Sequence, residues 1–186
     1  MGLRRDLGIR WPEATVSSTA RYFDACRSLR MAVDEDTARR FTWAIASISV
    51  HLEELNGFWG RALDISGPQW MILIALAELD QDKGVPVNAV AKKLQLDSSF
   101  VTTQSKILEQ KGLLRRRTSD QDARVVQMSL TDKTYKQMAQ LASQQQSLNE
   151  FVFAELGGNA FRDITQKLAE LSARLEKACL KATAGL

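Results

Sequence analysis

A chain of 186 residues is long enough for one domain with a substantial core, or for one domain plus association helices. Its 25 Lys and Arg against 22 Asp and Glu give +3, and a single histidine excludes most His-dependent metal sites and triads. The two cysteines, Cys26 and Cys179, lie far apart with no CxxC, so a reducing cytoplasm is the simplest home.

The N-terminus MGLRRDLGIRWPE lacks the apolar core of a signal peptide. Residues 13–32 carry Tyr22, Phe23, Cys26 and Leu29 at helical spacing. The cluster Asp34-Glu35-Asp36-Thr37 suits a helix N-terminus and opens a helix to about Leu63. Phe41, Ile45, Ile48, Leu52, Leu55 and Trp59 form its apolar stripe. Ser66-Gly67-Pro68-Gln69 has the form of a capping box with an early proline. The helix it opens runs to about Leu79 and is apolar nearly all round, which predicts burial; it is far too short for a membrane span. Residues 81–84 read as a loop.

From Pro86 to Leu130 the chain reads as one unit. VNAVAKKLQL is a short amphipathic helix with Val87, Val90, Ala91 and Leu94 on one face. After a tight connection at Gln95–Leu96, DSSFVTTQSKILEQKG forms a second helix. Asp97 or Ser98 is its N-cap, and Gly112 stands past its end. Val101, Ile107 and Leu108 point inward, leaving a face of Ser98, Ser99, Thr102, Thr103, Gln104 and Lys106. Two helices joined by a tight turn, with small polar side chains opening the second, have the layout of a helix-turn-helix. LLRRR, a turn at 119–122 and ARVVQMSL then make a β-hairpin with Arg115, Arg116, Arg117 and Arg124. A helix-turn-helix followed by a basic hairpin is the winged form, within a mainly α chain that has one small β element.

Thr131 caps a further helix over roughly 132–154, with Tyr135, Met138, Leu141 and Ala142 expected inward. Gly157-Gly158 breaks the chain. The last helix spaces Phe161, Ile164, Leu168, Leu171, Leu175 and Ala178 alternately three and four apart, an a/d stripe suited to a partner helix. The expected organisation is an N-terminal extension, 1–36, a winged lobe, 66–131, and dimerisation helices at 37–65 and 132–186. Residues 83–136 carry eleven Lys and Arg against five Asp and Glu, which leaves the rest of the chain slightly acidic. A basic segment in such a chain is the electrostatic footprint of a polyanion partner.

The stretch LEQKGLLRRRTSDQDARVVQMSLT resembles the wing of the MarR family of bacterial transcriptional regulators. Its Lys111-Gly112-Leu113, Asp122, Arg124 and Leu130-Thr131 match the family's pattern. The resemblance covers roughly residues 37–180. It implies a homodimer interlocked by N- and C-terminal helices and bound to an operator in double-stranded DNA. It also implies that Asp122 pairs with Arg124 to shape the wing, and that Arg124 reaches the minor groove. Thr134 stands where the family usually has glycine, with no cost expected in a helix's first turn.

Family members commonly respond to small aromatic acids, so the resemblance implies a repressor released by such an effector. Trp43, His51, Trp59 and Trp70 are candidates to line its pocket, and Arg39, Arg40 or His51 to pair its carboxylate. Some relatives instead sense peroxides through an N-terminal cysteine beside tyrosines, and Tyr22 is one helical turn from Cys26. A DNA-binding protein with no ligand is a third reading. No GxSxG, GxGxxG or phosphate-cradling glycine loop is present, and no catalytic role, cofactor, metal or membrane partner is expected.

Overall fold

The computed structural model describes residues 34–80 and 84–185. The expected helix at 13–32, with Tyr22 and Cys26, and the loop residues 81–83 lie outside the described residues. The chain forms two compact units that divide between His51 and Leu52, within helix α1 (Glu35–Ala62).

In the first unit α1 begins as its acidic cluster predicts. Asp34 Oδ1 accepts from the N–H groups of Asp36 and Thr37, at 2.9 and 3.1 Å, satisfying donors that a helix N-terminus leaves without partners. Phe41, Trp43, Ile48 and Val50 are exposed along this part of the helix.

The second unit holds the core. The capping box forms as expected: Ser66 Oγ accepts from Gln69 N–H, and Gln69 Oε1 accepts from Ser66 N–H. It opens α2 (Gly67–Leu79), whose Trp70, Ile72, Leu73, Ala75 and Leu76 are all buried. Its exposed residues are confined to the ends, Pro68 at the start and Ala77 and Glu78 in the last turn, so the middle of the helix is buried all round, hence its continuous apolar run. Among the described residues no single helix is long and apolar enough to cross a membrane.

Around α2 pack α3 (Val87–Leu94), α4 (Ser98–Gln110) and a three-stranded antiparallel sheet of β1 (Val85–Pro86), β2 (Leu114–Thr118) and β3 (Val126–Leu130). The strand order is β1-β3-β2, with Val85 opposite Met128 and Leu114 opposite Leu130. Val90, Val101, Leu108, Leu114 and Met128 complete the core. Strand β1 is not legible in the sequence, because two residues are too few to announce it; it forms by pairing along the edge of β3. The second hairpin strand is also shorter than the sequence suggests, beginning at Val126, so Arg124 lies outside it, near the tip.

The long helices α5 (Asp132–Phe153) and α6 (Gly158–Thr183) follow, separated by a 3-10 turn at Ala154–Leu156. Thr131 caps α5 by accepting from Thr134 N–H. Met138 and Leu141 pack against the core as expected. Tyr135 and Ala142, expected inward, are exposed: the side of α5 packed on the core carries Thr134, Met138, Leu141 and Leu148, and Tyr135 and Ala142 each lie one residue, about 100°, off that side.

Candidate nucleic-acid interface

The turn between α3 and α4 is made by Gln95, whose φ of 53° is left-handed, and Leu96 N–H donates back to Ala91 O at 2.9 Å. Asp97, not Ser98, caps α4: its carboxylate accepts from Ser99 N–H at 2.6 Å. The hydrogen bonds from Ser99 hold the Asp97 carboxyl below its ordinary pKa. At the other end Gly112 takes a φ of 71°, which lets the chain turn sharply into β2.

Val101, Ser105 and Leu108 are the buried side of α4. At 100° per residue the opposite side carries Ser99, Thr103 and Lys106, all exposed, with Ser98 exposed at the helix start. Thr103 Oγ1 donates to Ser99 O at 3.0 Å, as a mid-helix threonine does when its side chain lies along the helix. Two expected members of this face sit on its flanks instead. Gln104 is half-buried and accepts from Gln69 Nε2 at 2.9 Å, so it ties α4 to the capping box of α2. Thr102, also half-buried, lies on the opposite flank, toward the wing.

The wing arginines divide by strand alternation. Leu114 and Arg116 lie on one face of β2, and Arg115 and Arg117 on the other. Arg115 and Arg117 are exposed, whereas the Arg116 side chain keeps only 14% of its surface. Three consecutive arginines in a strand therefore cannot face one partner, a constraint that the sequence already contained. Arg116 is held from α4: Glu109 Oε1 accepts from its backbone N–H at 2.9 Å, and the other carboxylate oxygen stands 4.0 Å from Nη1. Its Nε is buried without a hydrogen-bond partner among the described residues. Near the tip, Asp122 shapes the wing through the backbone, not through the Arg124 guanidinium. Its carboxylate accepts from Arg124 N–H at 2.9 Å, and its carbonyl from Val125 N–H. Arg124 is exposed and borders a notch lined by Asn88, Thr102, Arg116 and Val126. Asn88 and Glu109 were missed from the sequence because nothing in their spacing links them to the wing.

Residues 65–126 match the family model described as "MarR family". Over 70 residues the chain is 37% identical to the organic hydroperoxide resistance transcriptional regulator of Bacillus subtilis, covering 38% of this chain and 46% of that protein. Over 61 residues it is 36% identical to the HTH-type transcriptional repressor MdtR of the same organism, covering 33% and 39%. The chain thus spans less than half the length of these curated relatives. The crystal structure of an S. aureus MepR–DNA complex shares the fold, with a TM-score of 0.63 at 22% identity over 72% of this chain and 97% of that one.

The expected effector residues meet different fates. Trp59 and Trp70 are core side chains, 7% and 2% exposed, so packing accounts for both. Arg39 and Arg40 each lie against Asp36, at 2.6 and 3.2 Å, while Trp43 is 71% exposed and His51 is exposed. Within the second unit an open groove of about 480 Å³ runs beside the start of α2, lined by Glu53, Asn56, Pro68, Met71 and Leu94. Glu53 is its charged group, which sets this groove against an anionic ligand. Among the described residues no three His, Cys, Asp or Glu side chains gather as a metal site.

Proposed function

We propose that this chain is a DNA-binding transcriptional regulator that acts as a homodimer. One observation carries the reading: the exposed small polar face of α4, capped by Asp97, lies beside a wing with Arg115, Arg117 and Arg124 exposed, inside the segment that matches the MarR family. A helix with small hydroxyl side chains fits the major groove, and flanking arginines suit phosphates and the adjacent minor groove. The MepR structure solved with DNA has the same fold. Ser98, Ser99, Thr103 and Lys106 would read bases, and Arg115, Arg117 and Arg124 would supply affinity. A selection from random duplexes tests this. The expected result is a palindromic site with half-sites about one helical turn apart, bound less tightly as salt rises. Equal affinity for every duplex would overturn it.

We further propose a repressor, as in the relative MdtR, released by a small aromatic carboxylate. The exposed Trp43 with Arg39, Arg40 and His51 on α1 supports that ligand chemistry. A ligand releases DNA only through unequal affinity for the DNA-competent and incompetent arrangements. The similarity to the hydroperoxide resistance regulator favours a second reading, a peroxide response through Cys26. Adding a benzoate or a peroxide to the protein–operator complex separates the two. Release by the acid, lost in Arg39→Ala with Arg40→Ala, supports the first; release by peroxide, lost in Cys26→Ser, supports the second.

A further inference from the structure

The notch between the wing and the helix pair is small, and most of its polar lining comes from side chains that carry hydrogen-bond donors. Its volume is about 160 Å³, and Asn88, Thr102, Arg116 and Arg124 supply its polar lining. That leaves room for a phosphate-sized group, given the ~30 Å³ that a water occupies in the liquid. Two arginines border one small notch, of which Arg116 has Glu109 4.0 Å from its Nη1 and Arg124 is exposed, and an anion held between them gains from both charges. Arg116 is held in place from behind, since Glu109 caps its backbone N–H, yet its Nε–H is buried with no partner among the described residues. Buried donors are normally satisfied, and this one lies on an arginine that lines the notch. The side chains come from three elements: Asn88 from α3, Thr102 from the flank of α4, and Arg116 and Arg124 from the wing.

We propose that this notch binds a phosphate oxyanion, and that its occupant is a phosphate of the DNA backbone, with Arg116 as its principal donor. The choice of occupant rests on the DNA-binding reading. If α4 lies in the major groove and the wing reaches the next minor groove, one backbone strand must pass between them. The notch opens at that place. Arg116 is then a phosphate-binding residue, distinct from the exposed arginines on the other face of β2.

The full chain, with arginine side chains labelled with ¹⁵N, tests this by the Nε–H resonance of Arg116. Its probes are a random-sequence duplex and inorganic phosphate, with duplex binding followed separately by fluorescence anisotropy. A saturable shift with duplex is expected. Arg116→Gln should weaken duplex binding about tenfold and lower the salt slope by about one, and Arg116→Lys should recover the slope. Should Arg116→Gln disturb the wing, Thr102→Val tests the same lining and should reduce the shift. If inorganic phosphate moves the resonance and displaces duplex, the oxyanion site stands with free phosphate as its occupant. If the duplex does not bind but phosphate still moves the resonance, the DNA reading fails and the site survives. A resonance indifferent to both probes overturns the site, as does duplex binding unchanged in affinity and slope by Arg116→Gln.

Discussion

Thr134 shows how a single buried hydroxyl is judged differently with its surroundings in view. In the sequence it is a tolerable replacement for glycine in a helix's first turn. In the structure it is fully buried, and its Oγ1 donates to Leu113 O at 2.6 Å while meeting Thr131 Oγ1 at 3.0 Å. Thr131 in turn donates to Gly112 O, so the two threonines fasten the start of α5 to the corner between α4 and β2. Thr134→Val keeps the shape and leaves the Leu113 carbonyl without this donor. We expect a loss of about 1–3 kcal/mol in urea unfolding, with Thr134→Ser close to wild type. Asp97 gives a pH dependence at the same scale. Its carboxyl pKa is lowered by the hydrogen bonds from Ser99, so the unfolded state takes up its proton first as pH falls. Its contribution to stability is present above about pH 4 and is lost as pH falls through the lowered folded value. Asp97→Asn should flatten the thermal midpoint against pH below about pH 4; a profile identical to wild type would reject the assignment.

The elements were legible in proportion to how local their causes are. The caps at Ser66 and Thr131, the stop at Gly112 and the amphipathic α3 all follow from neighbours within four residues. Strand β1 and the turning of Gln104 toward Gln69 depend on partners more than thirty residues away. The end of α1 depends on a nearer contact, made five and six residues along the chain. A Cβ on Gly60 would come 2.6 Å from Ile65 O and 2.9 Å from Ser66 O, so the corner into α2 closes directly over this glycine. Backbone atoms cannot yield as a flexible side chain does. Gly60→Ala should cost about 1–3 kcal/mol despite the better helix propensity of alanine; a gain in thermal midpoint would show that the corner relaxes freely. For the interface, β2 alternation separates two classes of arginine. Arg117→Ala should weaken all duplexes alike and lower the salt slope by about one, whereas Ser99→Ala with Thr103→Ala should change which sequence is preferred. Competition binding between selected and random duplexes measures both. The reverse pattern would exchange the roles of helix and wing.

For the whole molecule, the question is what α6 is for. Ile164, Leu168 and Leu175 are 40–56% exposed in the single chain, and Phe161 and Leu171 are half-buried. Phe161 meets Phe153 of α5 at 4.7 Å between ring centroids, so the stripe starts against its own chain and then runs on uncovered. An a/d stripe of this kind is stabilised by a partner helix, and a second copy is the partner proposed. Leu168→Glu with Leu171→Glu should convert a dimer to a monomer in sedimentation at micromolar concentration, and operator binding should fall with it. A wild-type monomer under those conditions would refute the homodimer.

The chain's own order of residues was enough to reveal the mainly helical winged architecture, the basic lobe and the stripe on α6. Each is written in a repeat of 3.6 or 2 residues or in a local charge excess. It was not enough to assign single side chains. Trp59 and Trp70 look as suited to a pocket as Trp43 until burial places them in the core. Arg115, Arg116 and Arg117 look alike until the pairing of β2 with β3 fixes which face each one takes. Side-chain exposure depends on what packs against an element from elsewhere in the chain, and periodicity within that element carries no record of it.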